Sequence, residues 1–459
     1  MTGEEGPAAG PPGASGSLKP ITSRIQAAPA IAGILIVAAS LAVVALPGRP
    51  RTGAVPPVDP PPARAALELP APEQPAPAAA ERPLKTGPAP SRILAPALRT
   101  GDCIALIAPA SPANPGEIAD AASNLRKLGY RVKVSPAAAE RFGYLAGSDE
   151  ARAESVNRAF ADPEVKLILC VRGGYGSPRI LPRIDYDLIR RSPKAIVGYS
   201  DITALLVAIH QRTGLVTFHG PMAGKDFSGR TGLSPFADQH LFALLGPEPF
   251  DAAELPYSDW GAGLPGGAGA RRTISGGVAE GRLTGGNLST VAALMGTPFE
   301  IDTRGAILFL EEVNEEPFRI DRMLCQFALA GKFAAAKGIL LGGFTRCDAK
   351  SPKESLALPH VFETYFEGLG VPVLAGFPAG HMPQQAALPL GIRVRLDASA
   401  KTLAILEPAV DPGKGAGAPP GPPAGSSAGA WLPQPPSRRS PSPGRPPVAA
   451  PSRSPAGEA

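Results

Sequence analysis

The stretch Lys194–Gly214, KAIVGYSDITALLVAIHQRTG, decides how the chain is read. An apolar run, Ala195–Gly198, passes at Tyr199-Ser200-Asp201 directly into apolar residues at helical spacing. That order predicts a buried strand, a tight turn and a helix. Ser200 then admits two readings. Ser or Asp before a helix is a preferred cap for free backbone N–H groups. A serine between strand and helix is also where a sharp turn holds a nucleophile above a sheet edge. A G-x-S-x-G elbow needs Gly at 202, where Ile202 stands, so spacing alone favours the cap.

Working outward, the same alternation recurs. Asp102–Ser111 (DCIALIAPAS) is a short apolar run closed by Pro and Ser, followed by helical spacing through Ile118, Ala121, Leu125 and Leu128. A second helix is expected after Ser148, stopped at Ala161-Asp162-Pro163, and KLILCVRGGYG is a strand running into a glycine loop. Strands alternating with helices predict a parallel sheet covered on both faces. Beyond Phe227 the pattern loosens, and shorter strands follow, among them AILFLEEV, AAKGILLGGF and IRVRLD. These predict a smaller mixed α/β domain.

The 57 prolines gather toward the two ends of this 459-residue chain. Residues 1–90 and 411–459 lack the spaced apolar residues a packed core requires and are expected to be disordered. The expected organisation is a disordered N-terminus (1–26), a transmembrane or signal segment (27–46) and a Pro/Ala-rich linker (47–91). An α/β domain carrying the serine (92–225), a connection (226–275), a second domain (276–409) and a disordered tail (410–459) complete it. Residues 27–46 contain no charge and have roughly the length that spans a bilayer. The net charge of +5 comes mostly from the two ends, so the middle offers no electrostatic case for nucleic acid. The four cysteines show no C-x-x-C pair, which favours buried free thiols over a metal site.

A hydrolytic serine needs a base, and the base an orienting acid. Of five histidines, His210, His240 and His360 lie in helix-like settings and His219 at a strand end, whereas His381 (GFPAGHMPQQ) lies in a loop past an apolar strand. Glu311 and Glu312 end the run AILFLEEV, and alternation along a strand sends their side chains to opposite faces. The RGGYG loop, Arg172–Gly176, is either a plain turn or a place where backbone amides approach an anion.

Taken together, RGGYGSPRILPRIDYDLIRRSPKAIVGYSDITALLVAIHQRTGLVTFHGPM, GRLTGGNLSTVAALMGTPFEID, AILFLEEVNEEPFRIDRML and GFPAGHMPQQAALPLG resemble the blocks of the LD-carboxypeptidases, in order, from about Ile93 to Leu406. The resemblance implies a flavodoxin-like N-terminal domain, a smaller C-terminal one, and a Ser–His–Glu triad of Ser200, His381 and Glu311, with Glu312 the weaker acid. It also implies an oxyanion hole from the N–H groups of Asp201 and Gly174, and no metal or organic cofactor. Arg172 is a candidate for the substrate's free carboxylate. The implied reaction cleaves an L,D-peptide bond and releases the terminal D-alanine of a murein tetrapeptide. Two alternatives are a self-immunity peptidase acting on peptidyl- or aminoacyl-nucleotides and a non-catalytic module binding cell-wall peptide. Further partners this reading allows are a membrane, through residues 27–46, and a second copy of the chain in a homodimer.

Overall fold

A computed structural model describes residues 90–229, 232–248 and 271–413. Its first sheet is built from β1 (Cys103–Ile107), β2 (Arg131–Val134), β3 (Val165–Cys170), β4 (Ala195–Gly198) and β5 (Thr217–His219). These strands are parallel in the order 2-1-3-4-5, the flavodoxin-like arrangement. Their sequences are near-continuous apolar runs because both faces are covered: β1 and β4 are buried at every residue.

The second sheet contains β6 (Arg272–Ser275), β7 (Val278–Asn287), β8 (Ala306–Val313), β9 (Gly338–Thr345) and β10 (Val373–Ala375). β11 (Leu388–Leu390) leaves it and pairs antiparallel with β5, so the first sheet is completed by a strand from late in the chain. β12 (Arg393–Asp397) and β13 (Thr402–Ile405) return to the second sheet, whose order is 13-12-7-8-9-10-6. β7 to β10 run parallel, with antiparallel strands at both margins. The fold is therefore a mixed α/β structure with a parallel sheet and a second, mixed sheet.

Strand alternation divides the core in two. Ile307 and Phe309 of β8 join one apolar cluster with Ile196, Leu205, Ile209 and Phe218 from the first sheet and its helix. Leu308 and Leu310, one residue out of phase, join the cluster formed with Ile320, Leu324, Phe327 and Phe366. The helix Thr203–Thr213 is buried at every position from Thr203 to His210. It contacts β4 and β5 of one sheet and β7 of the other, which is why its sequence lacks a polar face.

Two expectations are corrected. No helix among the described residues is long and apolar enough to cross a membrane, which overturns the expected membrane-spanning helix; residues 27–46 themselves lie outside the described residues. Membrane anchoring and a homodimer find no support here. Cys103, Cys170 and Cys347 are buried free thiols as expected, but Cys325 is only half-buried. It lies on the helix Pro317–Leu329, whose buried positions are Pro317, Ile320, Leu324 and Phe327.

Candidate active site

Three loops meet beyond the carboxyl ends of the parallel strands of the first sheet, where open α/β sheets hold their ligands. They follow β1 (through Ser111), β3 (Arg172–Gly176) and β4 (Tyr199–Ser200). Ser200 has φ of +63°, in the left-handed region that a non-glycine residue rarely enters. It caps nothing: neither the turn Ser200–Ile202 nor the helix Thr203–Thr213 has a side-chain cap. Gly198 makes the turn feasible, because a Cβ there would lie 2.7 Å from Ile202 Cγ2. The glycine loop packs directly on the serine. A Cβ on Gly173 would stand 2.8 Å from Ser200 Cβ and 3.2 Å from the Asp201 nitrogen.

Asp201 is buried and turns its carboxylate to the glycine loop, where Oδ2 accepts from the Ser177 N–H at 2.7 Å. Burial outweighs this hydrogen bonding and raises its pKa. The loop is pinned further by Tyr175 N–H to Ser111 Oγ (3.1 Å) and Ser111 N–H to the Gly173 carbonyl (3.0 Å). Gly174 (φ +94°) is pressed against Ser111, whose Oγ would lie 2.3 Å from an added Cβ. Arg172 is exposed and donates to the Pro112 carbonyl at 3.0 Å.

Glu311 and His381 come from the second half of the chain. Glu311 is fully buried on the β8 face shared with Ile307 and Phe309. Its Oε2 accepts from His381 Nδ1 at 2.7 Å and from the His381 backbone N–H at 3.1 Å, while Oε1 has no protein partner. Two glycines make room for this carboxylate. An added Cβ on Gly380 (φ +100°) would lie 2.5 Å from Oε2, and one on Gly342 3.2 Å from Glu311 Cβ. Thr345 Oγ1 donates to the His381 carbonyl at 2.7 Å, tying this loop to β9. The imidazole is 18% exposed and meets the Tyr199 ring edge-on, with centroids 4.8 Å apart. The Glu311–His381 pair thus packs beside the residue that precedes Ser200.

Glu312 points the other way. Its carboxylate accepts from Asn287 Nδ2 (3.0 Å), Ser289 N–H (2.8 Å), Ser289 Oγ (2.5 Å) and Val313 N–H (2.8 Å). It therefore joins β8 to the start of the helix Leu288–Ala293. A register shift between β8 and β9 sits between Leu310 and Glu312, where Gly342 and Gly343 face the single residue Glu311. The extra residue of this bulge belongs to β9, so β8 keeps its alternation through Glu311 and Glu312.

Several site residues were not singled out by sequence reasoning. Arg152 is fully buried and donates from Nη1 to the carbonyls of Pro109 (2.6 Å) and Gly176 (2.8 Å), clamping the β1 and β3 loops together. Its only signal was an arginine on the same helix face as Ser155, Val156 and Ala159. Tyr199 is buried, and burial raises its pKa, aided by the charges of Asp226 and Glu311. Thr203 Oγ1 accepts from the Asn287 N–H at 3.1 Å, linking the serine's helix to the second sheet. His219 is fully buried between the rings of Tyr199 and Phe309, and desolvation lowers its pKa to about 4.

Comparison with known proteins covers most of the described chain. The LD-carboxypeptidase N-terminal domain matches residues 104–220, and the LD-carboxypeptidase C-terminal domain matches residues 280–396. The chain belongs to the LD-carboxypeptidase family. It is 43% identical over 317 residues to a probable murein peptide carboxypeptidase of Bacillus subtilis (strain 168), covering 69% of this chain and 95% of that protein. The crystal structure of muramoyltetrapeptide carboxypeptidase from Oxalobacter formigenes superimposes with a TM-score of 0.56 at 30% identity, covering 66% of this chain and 97% of the other. The microcin C7 self-immunity protein MccF, in its wild-type apo state, gives a TM-score of 0.63 at 26% identity, covering 70% and 100% respectively. This LD-carboxypeptidase family member is thus a carboxypeptidase by family; Ser200 lies in the first matched segment, and Glu311 and His381 lie in the second.

Proposed function

We propose that the protein is a serine carboxypeptidase that cleaves the L,D-peptide bond of murein tetrapeptides and releases the terminal D-alanine. The observation that carries this reading is the Glu311–His381 pair, held at 2.7 Å beside Tyr199 and hence beside the left-handed turn at Ser200. Ser200 Oγ attacks the amide carbonyl while His381 Nε2 takes its proton. Glu311, bonded to Nδ1, fixes the tautomer and stabilises the imidazolium that forms. The N–H groups of Asp201 and Gly174 receive the oxyanion, each such donor contributing about 2.7–4 kcal/mol to transition-state stabilisation. His381 then protonates the departing D-alanine nitrogen, and water attacks the acyl-enzyme with His381 again as base. The Asp201 carboxylate holds the glycine loop against the serine, and Arg172, exposed at the start of that loop, is the cation assigned to the substrate's free carboxylate.

The test is release of D-alanine from murein tetrapeptide by wild type and by Ser200→Ala. Release by wild type and none by the variant is the expected result. Cleavage of an aminoacyl-nucleotide without cleavage of the tetrapeptide would replace this reading with the self-immunity activity. Equal ligand binding by both proteins with no turnover would make the protein a binding module.

A further inference from the structure

Two side chains of opposite charge, Arg152 and Asp201, are buried beside the candidate site. They grip one peptide group from its two ends. Arg152 Nη1 donates to the Gly176 carbonyl at 2.8 Å, and Asp201 Oδ2 accepts from the Ser177 N–H at 2.7 Å. The C=O and N–H of a planar trans peptide point in opposite directions. The Gly176–Ser177 unit is therefore held between a cation and an anion, and each charge favours the ionised form of the other.

The guanidinium is itself fixed. Gly176 admits it, because at a φ of +130° an added Cβ would lie 2.8 Å from Arg152 Nη1. Nη1 also donates to the Pro109 carbonyl at 2.6 Å, on the loop that carries Ser111. Nη2 donates to Asp149, and Arg179 Nε holds the same carboxylate at 3.0 Å from both oxygens. Rotation of the guanidinium would break at least one of these contacts. A buried arginine is costly unless it is paired and hydrogen-bonded, and here its partners are two loop carbonyls and a carboxylate.

We propose that Arg152 is a positioning residue for the oxyanion hole: with the Asp201 carboxylate, and through the Gly176–Ser177 peptide, it fixes the spacing between the N–H groups of Gly174 and Asp201. The proposal rests on the carboxypeptidase reading above. The two donors stand on different loops, after β3 and after β4, so one oxyanion meets both only if those loops keep a fixed separation. Asp201 supplies one donor from its backbone, and its side chain holds the loop that supplies the other. Ser111 fixes the near part of that loop, at Gly173 and Tyr175. The Arg152–Asp201 grip fixes its far end, two residues past Gly174. A lysine would carry the charge but not the planar fork that reaches two carbonyls and a carboxylate together.

The experiment measures kcat and KM for D-alanine release from murein tetrapeptide, per folded molecule as counted by urea unfolding. The proteins are wild type, Arg152→Met, Arg152→Lys, Asp201→Asn and the double variant Arg152→Lys/Asp201→Asn. Arg152→Met is expected to lose kcat roughly 100-fold, the cost of a misplacement of about 1 Å at a reacting centre. KM should stay within about threefold of wild type, because the oxyanion exists only in the transition state. Arg152→Lys should lose kcat roughly tenfold with the same split, and it decides the matter even where Arg152→Met does not fold. The double variant should lose no more than the worse of its two single variants, since both act on one peptide. If both Arg152 variants keep kcat per folded molecule, or lose only KM, Arg152 serves the fold alone; the proposal is then wrong and the carboxypeptidase reading stands. Losses that multiply in the double variant also overturn it, because the two side chains would then act separately. No release by wild type removes the carboxypeptidase reading and this proposal with it.

Discussion

Replacing Glu311 and Glu312 separately by glutamine should produce opposite phenotypes, although the residues are neighbours and both buried. In Glu311→Gln the amide oxygen can still accept from His381 Nδ1 and N–H, so the histidine loop keeps its anchor. The negative charge that stabilises the imidazolium is gone, and the amide NH2 falls where Oε1 now has no protein partner. The expected loss in kcat is about 10³–10⁴-fold, by analogy with amide replacement of a triad acid. The stability loss is about 1–3 kcal/mol, from one buried donor left unsatisfied. In Glu312→Gln the amide cannot accept from all four donors, because an NH2 group must face either Ser289 or the Asn287–Val313 side. Losing one to two charge-assisted bonds predicts a destabilisation of roughly 2–4 kcal/mol, with kcat of the folded enzyme within a few-fold of wild type. D-alanine release at neutral pH and urea unfolding of both variants supply the two readouts. If Glu312→Gln loses kcat and Glu311→Gln keeps it, the assignment of the acid is wrong, and so is the alternation argument beneath it.

Other consequences are equally direct. Gly380→Ala should abolish turnover as thoroughly as Glu311→Gln, since its Cβ would lie 2.5 Å from Glu311 Oε2 at a φ of +100°; the backbone strain alone costs about 1–3 kcal/mol, readable in the unfolding midpoint. Ser200→Gly and Ser200→Ala should both be inactive, yet the glycine variant should be more stable by about 1 kcal/mol because it relieves a left-handed φ of +63°. Equal unfolding free energies would show that the turn stores no strain. Desolvation holds His210 and His219 at about 4 in the folded chain, against 6.5 when exposed. The unfolded chain therefore binds more protons between these values, so stability is full above pH 6.5 and is lost as pH falls toward 4. Each contributes roughly 3 kcal/mol. His219→Gln should flatten the slope of unfolding free energy against pH by about one proton. An unchanged slope would mean that His219 titrates normally.

Most of the architecture was written in local pattern. Apolar runs ended by glycine or proline marked β1, β3 and β4, and helical spacing marked the elements between them, because burial on both faces leaves little choice of residue. The loop position of His381 and the paired glutamates were also visible, but they became a candidate site only through resemblance to a family. Periodicity could not say whether Ser200 capped a helix. The answer lay in its left-handed φ and in the glycine loop packed on it, neither of which leaves a mark in the composition of the turn. The clamp made by Arg152 was hidden for a similar reason: its two carbonyl partners are 43 and 24 residues away.

That Glu311 and Glu312 face opposite ways follows from the chain's local pattern, since strand geometry alternates side chains whatever surrounds them. Which face meets His381 and which meets the helix Leu288–Ala293 depends on long-range packing. That choice depends on how the second sheet packs against the helix behind Ser200, through residues more than eighty positions apart such as Thr203 and Asn287. Alternation is a local property of the backbone. Which side of a strand becomes chemistry is set by what the rest of the chain brings to it.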